Sequence, residues 1–226
     1  MNESCSTRRA TLWVILLLVA LYALDQATKW YVVMHFRMPV FLFLDGVPVL
    51  KDNGILHFNI VRIHNTGVAF GLGNGTVWAP FVFLSVQIIA LCVLICLYVK
   101  NYFRTCTMRI TWALLMAGVL GNMTDRLLQG FFLPGTQELS FFERFRLGYV
   151  VDFLDFAFPW LPTETFPKGY HWPAFNVADA CVCTAAALLI ITAFFTREKP
   201  TPPSSKTDED DAPEPLATDR ADSPEA

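Results

Sequence analysis

The chain has 226 residues, of which 54% are hydrophobic and only 16% charged, with a formal net charge of -3. That balance is foreign to an ordinary soluble domain, so a membrane protein is the first class to test. HExxH, CxxC, Walker and GxGxxG patterns are absent from the sequence. Metal, cofactor and nucleotide chemistry are therefore without support, and no nucleic-acid partner is expected.

Taken in chain order, four segments approach the ~20 apolar residues that a ~30 Å hydrocarbon core requires, at 11–34, 78–99, 110–128 and 175–196. The first follows Arg8-Arg9, and "TLWVILLLVALYAL" resembles the apolar region of a signal peptide; the three later segments favour a polytopic protein instead. Within it Asp25 and Lys29 stand four apart, a spacing that lets them pair on one helix face. The connection at 35–77 contains "GILHFNIVRIHNTGVAFG", where Leu56, Phe58 and Ile60 alternate with His57, Asn59 and Val61, the period of a half-buried strand.

The second segment is free of charge and reads as a plain span, with Cys92 and Cys96 as small apolar fillers. The third ends in "GNMTDR", where Arg126 either snorkels to the headgroups or pairs with Asp125. The next connection carries "LGYVVDFLDFAFPWL", with Asp152 and Asp155 three apart. Its aromatics suit a segment that lies on the outer interface or dips into it. In "NVAD", Asn176 precedes Asp179 by three residues, the spacing of a capping-box variant at the start of the fourth helix.

Beyond Lys199 the chain is rich in Pro and acid and poor in aromatics, and reads as a disordered tail that could recruit a partner. The sequence thus divides into an N-terminus (1–10), a membrane domain (11–197) and an acidic tail (198–226). The fold class expected is an all-α polytopic membrane protein, with four transmembrane helices, a small extracytoplasmic β element and an interfacial loop or helix.

Basic residues set the orientation. Stretches 1–10, 100–109 and 197–206 hold eight Lys/Arg in thirty positions, against six in eighty-nine for 35–77 and 129–174. The positive-inside rule places both termini and the short middle loop in the cytoplasm. At 1.5 Å per residue, Asp25 and Asp125 then lie ~21 and ~22 Å along their spans from the cytoplasmic ends. Asp179, near the outer start of the fourth span, falls at the same level. Ionisable residues inside a membrane are costly enough to mark a functional site. A transporter would also use them, but charges confined to the outer boundary leave no relay through the middle.

Five stretches in order, "DQATK" (25–29), "NTGVAFG" (65–71), "GNMTDR" (121–126), "VVDF" (150–153) and "FNVAD" (175–179), resemble the motifs of the lipoprotein signal peptidases, or signal peptidase II, the membrane aspartyl proteases of bacteria. The resemblance covers roughly residues 11–195. It implies a bacterial inner-membrane endopeptidase that cuts diacylglyceryl-modified prolipoproteins just before the lipidated cysteine, near the outer face and without metal. It implies that Asp152 and Asp179 are the catalytic pair, with "VVDFLDF" leaving Asp155 as the lesser alternative. Supporting roles carry over to Asp25, Lys29, Asn65, Asn122, Arg126 and Asn176: the first two as an ion pair, Asn65 and Asn176 toward the substrate backbone or the aspartates, Asn122 as a tie between helices, and Arg126 as a brace for the loop bearing Asn65. The partners implied are the prolipoprotein and membrane lipid. "FLPGTQELSFFERFRLG" before "VVDF" is longer than the family pattern, as is "LPTETFPKGYHWP" before the last span, and both bear on the shape of the substrate entrance.

Overall fold

The computed structural model describes residues 2–37, 47–50, 54–67, 76, 78–165 and 169–195, with side chains described from Thr11 onward. Residues 68–71 of the second motif and the acidic tail lie outside the described residues.

Among the described residues, five α-helices and four strands follow in the order α1 (Asn2–His35), β1 (Val47–Leu50), β2 (His57–Asn65), α2 (Ala79–Val99), α3 (Cys106–Leu128), α4 (Phe141–Arg146), β3 (Val150–Phe158), β4 (Tyr170–His171) and α5 (Val177–Phe195). Among the described residues three helices, α1 from Thr11, α2 and α5, are long and apolar enough to cross a membrane. Helix α3 has the length, at 23 residues, but carries Arg109, Asn122, Asp125 and Arg126, which lower its hydropathy.

Burial explains why α3 tolerates those groups. It packs against α1, α2 and α5, and its buried positions run from Thr111 to Arg126 over more than one face. The outer helices bury only narrow stripes: Val14, Asp25, Lys29 and Val32 on α1, and Ala178, Cys181 and Ala185 on α5. Their other faces expose large apolar side chains such as Leu16, Val86, Ile89, Ile190 and Phe194. An apolar surface turned outward on several helices is what lipid contact requires.

Close approach of α3 to its neighbours depends on two glycines. A Cβ at Gly118 would meet Val182 and sit 2.7 Å from the Ala178 carbonyl, and one at Gly121 would run into the Asp25 carboxylate. Two apolar clusters bracket the resulting bundle. Val14, Leu94, Phe103, Trp112, Ala113 and Met116 form one. Val32, Tyr149, Val151 and Phe153 form the other, against the sheet.

The strands form one antiparallel sheet in the order β1-β2-β3-β4. The alternation at 56–61 lies where β2 begins, and the "VVDFLDFAF" segment, for which the sequence suggests no regular structure, is the buried strand β3, hydrogen-bonded on both sides. Its aromatics are part of the sheet's packing, with Phe156 stacked between Phe58 and Phe175 at 4.7 and 5.7 Å. The register opposes Asn65 to Val150 and Ile63 to Asp152. Phe175 is tied to Leu154 by reciprocal backbone bonds of 2.8 and 3.1 Å, which fixes the start of α5 beside β3.

Candidate active site

Asp152 projects from β3, 3% exposed, with both carboxylate oxygens engaged. Asn65 Nδ2 donates to Oδ2 at 2.9 Å, and Asn176 Nδ2 donates to Oδ1 at 2.7 Å. Asn65 reaches it diagonally across the β2–β3 ladder, because Asn65 itself stands opposite Val150. Burial pushes the Asp152 pKa up to about 7, and the negative charge of nearby Asp179 adds to the effect; the two asparagine bonds and Lys29 oppose it.

Asp179 occupies the third position of α5, where the helix N-terminus favours an anion. Asn176 caps that helix: its Oδ1 accepts from the Asp179 amide at 3.0 Å, and its own amide donates to Asp179 Oδ2 at 3.3 Å. This is the reciprocal pairing of a capping box. Asn122 Nδ2 donates to the remaining Asp179 oxygen at 2.8 Å. Asn176 therefore bonds both aspartates, and both line one cavity of about 490 Å³ between the sheet and helices α2, α3 and α5.

Behind the asparagines lies a buried charge cluster. Lys29 Nζ contacts Asp25 at 2.8 Å, Asp125 at 3.1 Å and Asn122 Oδ1 at 2.9 Å. Each acid also holds a backbone amide. Asp25 accepts from Ala178 N at 2.8 Å, next to Asp179, and Asp125 accepts from Val151 N at 3.0 Å, next to Asp152. The ammonium joins two carboxylates that fix the chain on either side of the cavity. Gln26, which the sequence reading passed over although it sits inside "DQATK", bridges Asp25, Asp125 and the Gly121 carbonyl at 3.1 to 3.2 Å.

Arg126 is 6% exposed and does not snorkel. One guanidinium nitrogen donates to the Gly67 carbonyl, Gly67 N donates to Asn65 Oδ1 at 3.0 Å, and the guanidinium lies 5.1 Å from the Phe83 ring centre. The loop that carries Asn65 is thus tied to α3. Asp155 is occupied elsewhere, accepting from Asn59 at 2.8 Å and bonded to His171 at 2.9 Å, and it does not line the cavity. Among the described residues no group of three His, Cys, Asp or Glu is placed to hold a metal.

Two carboxylates on one cavity, bridged by Asn176, can divide the roles of acid and base between them. The family model for Signal peptidase (SPase) II matches residues 17–195. The chain belongs to the signal peptidase II family.

Curated relatives agree with that membership. A lipoprotein signal peptidase of Syntrophus aciditrophicus is 32% identical over 170 residues, 74% of this chain and 83% of its own length. One from Photorhabdus laumondii is 28% identical over 198 residues, 87% of this chain and 95% of that one. A solved structure described as a bacterial membrane enzyme obtained by the in meso method matches with a TM-score of 0.58 at 27% identity, covering 84% of this chain and 93% of that one. As a member of the signal peptidase II family, the chain is a membrane protease of lipoprotein processing. All five stretches that resemble the family motifs fall within the matched residues.

Proposed function

We propose that this chain is an aspartyl endopeptidase that removes signal peptides from diacylglyceryl-modified prolipoproteins, cutting just before the lipidated cysteine. The observation that carries the reading is the pair Asp152 and Asp179, bridged by Asn176 and open to one cavity.

In this reading Asp152 holds the proton and donates a hydrogen bond to the scissile carbonyl, while ionised Asp179 takes a proton from water. The hydroxide oxygen bonds to the carbonyl carbon as the carbonyl oxygen takes up the Asp152 proton. Collapse of the tetrahedral adduct breaks the C–N bond, and the proton taken by Asp179 goes to the leaving nitrogen. Return of the adduct's proton to Asp152 restores the pair, and no covalent enzyme intermediate is formed.

Four spans, α1, α2, α3 and α5, would carry the site near the outer face of the bacterial inner membrane, with both termini and the acidic tail cytoplasmic. Support comes from the distribution of basic residues and from the sheet, which joins the helices at the ends bearing Asp25, Asp125 and Asp179. Helices α2 and α5 scarcely touch, so the cavity has a flank toward lipid through which an acyl-anchored substrate can enter.

Incubation of the purified protein in detergent with a diacylglyceryl-modified prolipoprotein and with its unlipidated precursor tests the reading. Mass spectrometry should find a product beginning at the lipidated cysteine, and the unlipidated precursor intact. A cut at another bond, or equal cutting of both substrates, would refute it.

A further inference from the structure

The asparagines around the aspartates have both ends of their amides engaged within the protein. Asn65 bonds Asp152 and Gly67, Asn122 bonds Asp179 and Lys29, and Asn176 bonds Asp152 and Asp179. They hold the carboxylates and have little left for a substrate. Among the described residues that line the cavity, the buried side-chain nitrogen and oxygen atoms without a partner are Arg126 Nε and Nη1 and Gln87 Oε1.

Gln87 is the unexpected one. It lies within α2, whose other cavity-lining residues, Phe83, Val86 and Ala90, are apolar. Its carboxamide oxygen is buried without a partner, and such an oxygen in an apolar setting costs stability and calls for an explanation.

Its depth supplies one. Phe83 packs against the Arg126 guanidinium, which fixes the relative height of α2 and α3. The short 100–105 connection makes these helices antiparallel, so Gln87 lies one turn, about 6 Å, inward of Phe83, and Asn122 lies one turn inward of Arg126. Gln87 therefore faces the cavity at the level of Asn122 and Asp179, from the opposite wall.

A peptide must be extended to be cut, and extension in an apolar groove leaves its main-chain N–H and C=O groups unpaired. Resting on the peptidase reading above, we infer that Gln87 is a substrate-positioning residue whose carboxamide hydrogen-bonds the main chain on the signal-peptide side of the scissile bond. That side is assigned by depth: the signal segment approaches from within the bilayer, and Gln87 sits on the bilayer side of the Arg126 level.

The test is steady-state cleavage of the diacylglyceryl-modified prolipoprotein by wild type, Gln87→Leu and Gln87→Met, with thermal unfolding followed in the same detergent. Loss of a neutral hydrogen bond present in both ground and transition states should lower kcat/KM by up to about tenfold, mostly through KM. The unfolding temperature should hold or rise, since a buried oxygen without a hydrogen-bond donor has been removed. Unchanged kcat/KM in both variants, or a loss matched by a fall in unfolding temperature, would overturn the inference. Failure of wild type to cut the precursor would instead defeat the peptidase reading on which it rests.

Discussion

Asp152 sits in a buried place beside a second carboxylate, and this sets the pH dependence of the reaction. Its raised pKa of about 7 keeps it protonated below neutrality and ionised above. A mechanism that needs that proton should lose kcat/KM about tenfold per pH unit above pH ~7, with the apparent value belonging to the pair. A rate that stays flat from pH 6 to 9 would exclude Asp152 as the acid. Lys29 poses a different question, because it is fully buried between Asp25 and Asp125. Lys29→Met strands two buried carboxylates, and breaking such a cluster should cost roughly 3–5 kcal/mol, read as a fall in unfolding midpoint. Activity should fall with it, since the same acids hold the amides of Val151 and Ala178. Helix rise, with the orientation set by the basic residues, puts Asp25, Asp125 and Asp179 in one layer from the sequence. It could not show those backbone bonds, which join residues 26 and 153 positions apart.

At the level of elements, the sheet and the helix contacts were legible to different degrees. Alternation located the start of β2, and "NVAD" located the cap of α5. Strand β3 was not recognisable, because a strand bonded on both edges and covered on both faces reads as a continuous apolar run rather than an alternating one. The two-residue β4 and the four-residue β1 carry too little pattern to be seen. The contacts of α3 with α1 and α5 depend on Gly118 and Gly121, whose need for small size appears only once the neighbours are in place. Gly121→Ala should displace the Asp25 carboxylate and cost about 1–3 kcal/mol by overpacking, with a parallel loss of activity. An unfolding midpoint within error of wild type would mean that α1 can move away freely.

For the whole molecule, the balance of lipid-facing and buried surface explains why composition identified a membrane protein while the weakest apolar helix is the central one. Helix α3 is shielded by α1, α2 and α5 and can carry the polar groups that the site requires, whereas the outer helices face lipid with apolar side chains. The basic-residue asymmetry gives a topology that reporter fusions can check: a phosphatase active only outside the cytoplasm should work when fused after Trp160 and fail when fused after Phe103. The reverse pattern would put the cavity on the wrong side of the membrane for its proposed substrate. The central claim is that Asp152 and Asp179 together activate water. Its most direct test compares cleavage of a diacylglyceryl-modified prolipoprotein by wild type, Asp152→Asn and Asp179→Asn, each shown to be folded by thermal unfolding. Both folded variants should lose at least about 10³-fold in kcat, the scale expected when a paired acid or base is removed. Full-rate cutting by either one would contradict the account.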